Sequence, residues 1–216
     1  MNPVGSYYRL EGELREAQQK LGLDACITFG ILFVDARQSE AKEHIINYMN
    51  SFDRKSGKYF DFFIPGYVEY GKGEPAFKLK RTTQEFFFDD DLFDEFCEWS
   101  ERKLGIEYTY NPMLILISMK AGRIGEAQKI VIELDNLGGY GVKRSGIFFR
   151  DIFDISRLDG SLEEISHDIE KLYELDMVDL LDEKLKTVIE YRMKYKESSL
   201  KELAEIMSFE TGIEIT

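Results

Sequence analysis

The sequence predicts an α/β protein: a mixed four-stranded sheet flanked by helices. Three observations predict it. Short apolar stretches rich in β-branched and aromatic residues alternate with longer stretches of helical period. The first two apolar stretches are separated by one such helix, which implies a crossover and a parallel pair. The last two are separated by a short link, which implies an antiparallel pair. With 216 residues, 44% of them apolar, the chain can bury a sizeable core.

Leu10 to Leu21 carries Leu10, Leu14, Ala17 and Leu21 at helical spacing, and Gly22 follows as a stop. ACITFGILFVD, Ala25 to Asp35, is apolar on both faces and predicts a central strand. Ser39 to Phe52 predicts a helix with Ala41, Ile45, Tyr48, Met49 and Phe52 on its stripe and Ser39 as its cap. Arg54 to Gly57 predicts a turn. YFDFFI, Tyr59 to Ile64, predicts the second strand, stopped by Pro65-Gly66.

Residues 67–88 predict an inserted hairpin, with Tyr67–Tyr70 and Ala76–Leu79 flanking GKGEP. Asp89 to Asp91 open a helix that runs to about Lys103, with Phe93, Phe96, Cys97 and Leu104 facing inward. MLILISM, Met113 to Met119, and Ala127 to Leu134 predict the third and fourth strands, and NLGGYGVKRSG a loop. GIFFRDIFDI, Gly146 to Ile155, fits either a strand or a docking segment. Beyond it, Ser161 with Glu164 and Ser199 with Glu202 give capping-box spacing, and Met177 to Tyr195 predicts a helix. The predicted division is an α/β domain over 1–175 and an acidic helical extension over 176–216.

Charge narrows the function. Lys and Arg number 28 against 41 Asp and Glu, a formal charge of −13. Ser161–Thr216 hold 7 basic and 15 acidic residues, a net of −8. Such a field repels phosphate backbones, and the densest basic run is only KLKR, Lys78 to Arg81. Nucleic acid is therefore not expected as a partner. No apolar run approaches the ~18 residues of a membrane span, no secretory leader is visible, and two cysteines make no disulfide framework. A cytoplasmic protein is expected, with no membrane partner.

NPMLILISMKAG, Asn111 to Gly122, and the order of elements over Ala25 to Tyr173 resemble the thioredoxin-fold superfamily. That resemblance implies a cis proline just before the third strand, in the place of Pro112; an ordinary trans proline at a strand start is the alternative. It also implies a redox motif after the first strand. That stretch reads VDARQSEA, Val34 to Ala41, and holds no cysteine. Cys26 and Cys97 fall on a strand and a helix, so the resemblance implies a redox-inactive relative without the CxxC motif. The N-terminal helix, the hairpin and the helical C-terminal extension would be additions to that scaffold.

Chemistry is sparse. The two histidines, His44 and His167, have no ligand spacing, and DDDLFDE, Asp89 to Glu95, reads as acids at a helix start rather than a cation site. No GxSxG elbow and no Walker or Rossmann loop is present. No catalytic residue, metal or cofactor is expected. The best candidate surface is where three loops meet: Asp35 and Arg37, Tyr110 and Pro112, and Tyr140, Lys143 and Arg144 in the glycine loop. KESSLKELAEIM resembles the opening helix of a helix-turn-helix, but no second helix follows it and the region is acidic, so a helical lid or dimer contact is expected instead. The expected function is a non-enzymatic protein-binding module whose acidic surface meets a basic partner, of the immunity or antitoxin type. The alternatives are a phosphate-bearing small molecule at Pro112 and Gly138–Gly146, sensed or turned over, and a homodimer through the tail.

Overall fold

A computed structural model describes residues 1–22, 25–56, 61–72, 74–120, 123–124, 127–134, 142 and 145–158. The chain divides into two compact units, Met1–Ser166 and His167–Thr216. Residues 159–216, with both capping boxes and the helices expected there, lie outside the described residues.

The first unit is a mixed α/β layer structure. Its main sheet runs β1 (Asn2–Val4), β3 (Asp61–Pro65), β2 (Cys26–Phe33), β7 (Met113–Lys120), β8 (Gln128–Glu133). β2 is parallel to β3 and antiparallel to β7, and β7 is antiparallel to β8. These are the four expected strands with the expected directions. The fifth, β1, is parallel to β3. Three residues, NPV, are too few to show a period.

Alternation along β2 explains the two-sided burial. Phe29, Ile31 and Phe33 join Leu10 and Leu14 of α1 (Tyr7–Leu21) and Phe93, Phe96 and Trp99 of α4 (Asp90–Leu104) in one core. A second aromatic cluster unites Phe52 of α3 (Met49–Ser56), Phe62 of β3, and Phe149 and Phe153 of α5 (Ser145–Leu158).

The helix expected over Ser39–Phe52 is broken into α2 (Ser39–His44), a 3-10 turn (Ile46–Tyr48) and α3. The His44 carbonyl accepts the Ser145 hydroxyl at 2.9 Å, and the Tyr48 N–H turns to the Ile45 carbonyl instead. The tighter turn buries Ile45 and Ile46 together. Ser39 is not the cap. Gln38 holds that position, and its side chain makes no capping bond to the helix. α1 begins earlier than expected because Ser6 accepts the Arg9 N–H. Leu21 is exposed, because the Gln18 amide takes the inner position and donates to the carbonyls of Gly22 and Ala25.

The expected hairpin is a three-stranded sheet in the order β4 (Tyr67–Val68), β6 (Glu85–Phe88), β5 (Phe77–Lys78). The two outer segments do not pair with each other. Both pair with β6, where Phe86 stacks on Phe77 at 5.4 Å and Phe88 meets Tyr67 at 5.1 Å. Gly146–Ile155 is neither strand nor loose docking segment but part of α5. Phe148, Phe149, Ile152 and Phe153 are buried at helical spacing, which aromatic content alone disguises. Among the described residues no helix is long and apolar enough to cross a membrane.

Candidate functional site

The loop leaving β2 reads Val34-Asp35-Ala36-Arg37-Gln38. A short carboxylate two residues before a backbone N–H closes a local turn, and Asp35 accepts the Arg37 N–H at 2.8 Å. The same carboxylate, almost wholly buried, takes Arg37 Nε at 2.9 Å on both oxygens and Nη2 at 2.8 Å. Arg37 then reaches α4, with Nη2 3.2 Å from Asp94 and Nη1 3.9 Å from Asp90. Its guanidinium lies over the Phe88 and Phe93 rings at 5.8 and 6.0 Å. Asp35 above all, and Asp94, hold it firmly protonated.

Neutral groups close the cluster. The Tyr67 hydroxyl donates to the Val34 carbonyl at 2.9 Å. Burial, and then the charge of Asp35, raises the phenols of Tyr67 and Tyr108 above their ordinary value. Burial pushes the Cys97 thiol up to about 12, with Asp94 and Asp35 adding. The Gln38 side chain donates to the Tyr110 carbonyl, and Tyr110, at φ 65°, places its ring 6.0 Å from Tyr108. The Pro112 carbonyl accepts the Leu134 N–H at 2.8 Å.

Four of the seven expected residues, Asp35, Arg37, Tyr110 and Pro112, therefore lie on adjoining loops at one end of the sheet. Tyr140, Lys143 and Arg144 lie outside the described residues. Arg37 faces three carboxylates, so its charge is already committed and a further anion would meet net negative charge. A cavity of about 210 Å³ adjoins it, lined by Ala36, Lys42, Ile46, Glu74, Pro75 and Phe88 among others. Among the described residues no peptide bond is cis, so Pro112 is trans. Among them, too, no group of three or more potential ligands could hold a metal ion.

Comparison with known proteins turns attention to the other end of the chain. Residues 153–216 match the WhiA C-terminal HTH domain. No curated protein and no solved structure gives a match.

A helix-turn-helix is a DNA-binding motif. The match overturns the expectation that nucleic acid is not a partner, and with it the protein-binding module of immunity or antitoxin type. It also overturns assignment to the thioredoxin superfamily, since the matched family is a DNA-binding one. The small-molecule alternative gains no support either. The opening-helix pattern KESSLKELAEIM falls inside the matched residues.

A signal was present and averaging hid it. Between Lys184 and Lys201 lie six cations, Lys184, Lys186, Arg192, Lys194, Lys196 and Lys201, against Glu190 and Glu197, a net of +4. Residues 159–183 carry one basic and ten acidic residues, and 202–216 four acidic and none basic. Phosphate contacts depend on charge within about a Debye length, ~8 Å at physiological salt, rather than on the sum over the chain.

Proposed function

We propose that the chain is a DNA-binding regulatory protein whose contacts to duplex DNA come from residues 153–216. The match to the WhiA C-terminal HTH domain carries this reading. The cationic stretch 184–201 supports it, because a phosphate-contacting surface needs local positive charge even in an acidic chain. The α/β unit then serves as a partner domain, and we read Asp35, Arg37, Tyr110 and Pro112 as bracing within it. The strand order of that unit supports a thioredoxin-like topology as an architecture; it brings neither thiol chemistry nor membership of that superfamily.

The test is fluorescence anisotropy of a labelled mixed-sequence duplex titrated with the full chain over a salt series. Binding is expected, with log K falling against log salt by about 0.9 per phosphate contacted. Replacing Lys184, Lys186, Arg192, Lys194 and Lys196 together with Gln is expected to weaken binding at least tenfold and to flatten that slope. Absence of binding at low salt, or an unchanged slope in the variant, rejects the reading.

A further inference from the structure

We propose that the α/β unit binds a small carboxylate with an apolar body, in a cleft between α1, the last turn of α4, Met119 of β7 and the pair Arg123–Ile124. The cleft holds about 230 Å³. Its apolar lining is Leu14, Met119 and Ile124, all nearly buried. Its cations are Arg15, Lys103 and Arg123. In a chain of formal charge −13, a small cleft lined by three cations and one acid gathers positive charge locally.

The one acid in the lining, Glu11, is engaged: it accepts the Trp99 indole N–H at 3.0 Å. Among the described residues neither Arg15 nor Lys103 makes an ion pair. Lys103 is not required to finish its helix, because Lys129 Nζ donates to the Leu104 carbonyl at 2.7 Å and Gly105 closes the last turn. Among the described residues these two cations therefore have no ion-pair partner, and the apolar lining favours a ligand with a hydrocarbon part over a bare ion. Guanidinium forks suit a carboxylate. The volume falls below the ~300–1,000 Å³ of drug-sized sites, which limits the body to a short alkyl chain or a single ring.

Trp99 is the sole tryptophan, and its bond to Glu11 places a fluorescent reporter beside the cleft. The experiment titrates the full chain with hexanoate, hexanamide and sulfate while Trp99 emission is followed. A saturable change with hexanoate is expected, with hexanamide and sulfate at least tenfold weaker. Arg15→Gln combined with Lys103→Gln is expected to weaken hexanoate at least tenfold. Arg9→Gln, on the same helix but paired with Glu13, is expected to leave it unchanged. No response, equal responses to hexanoate and sulfate, or an unaffected double variant overturns the proposal. A double variant that loses duplex affinity while hexanoate stays silent in both proteins assigns the cleft to phosphate contacts and overturns it as well. Substitutions in 184–201 are expected to leave the hexanoate response intact, so this result stands apart from the DNA reading.

Discussion

Arg37 shows how much one side chain can hold in a small loop. It is tied to Asp35, Asp90 and Asp94 and lies over two rings. Arg37→Gln leaves the buried Asp35 carboxylate with little beyond the Arg37 backbone N–H. The expected loss is about 1–3 kcal/mol by urea unfolding, the range for a buried polar group left without its partner. Arg37→Lys should recover only part of it, since an ammonium cannot make the paired Nε and Nη contacts. An unchanged urea midpoint in Arg37→Gln contradicts the bracing role.

Cys97 gives a second test at this scale. Its thiol is raised from 9.0 to about 12, so the folded state keeps a proton that the unfolded state releases near pH 9. Stability is therefore expected to fall as pH rises from about 9 toward 12. The buried Tyr67 and Tyr108 phenols, also raised, push the same way above pH 10. Cys97→Ala should make the part of the urea-midpoint curve between about pH 9 and 10 shallower, since the thiol begins to contribute about a pH unit below the phenols. If the curve is unchanged, the thiol is not protected by burial as described.

At the scale of elements, Gly66, between β3 and β4, ties together two others. At φ 78° its N–H donates to the Val4 carbonyl and its carbonyl accepts the Asp89 N–H, linking β1 to the start of α4. A β-carbon there would lie 2.7 Å from Phe93 Cβ. Gly66→Ala combines an unfavourable left-handed backbone with overpacking, and should cost about 2–4 kcal/mol. Gly12, inside α1, should respond in the opposite sense, since a β-carbon added there would have nothing within 4 Å. Gly12→Ala is expected to stabilise by about 0.5–1 kcal/mol. Thermal unfolding of the two variants decides both, and equal effects contradict the contrast.

Legibility followed length and period. β2 and β7 were readable because each is a long, largely apolar run, and β8 because IVI follows β7 after a short link. β1 was not, since three residues have no period. The break after α2 depends on Ser145 reaching the His44 carbonyl from 101 residues away, which no local pattern encodes. β6 was hidden for a related reason: EFFF is defined by the partners Tyr67 and Phe77, and isolated aromatic residues do not specify a register.

For the whole molecule, net charge misled where local charge would have informed. A total of −13 argued against nucleic acid, yet a stretch of net +4 lies within the residues that match a DNA-binding family. The expected site fared differently. Asp35, Arg37, Tyr110 and Pro112 were placed on neighbouring loops by strand order alone, but their chemistry was not legible. Whether Arg37 faces a ligand or three carboxylates depends on where α4 brings Asp90 and Asp94, a matter of helix placement rather than sequence spacing.

α5 has a practical consequence for anyone dissecting the protein. The family match begins at Phe153, halfway along a helix, and that ring is wedged 6.2 Å from Phe52 and 5.0 Å from Phe62. Scissors applied at the family boundary would tear a wall from one fragment and leave the other with a stranded aromatic. A clean division has to spare the helix through Leu158.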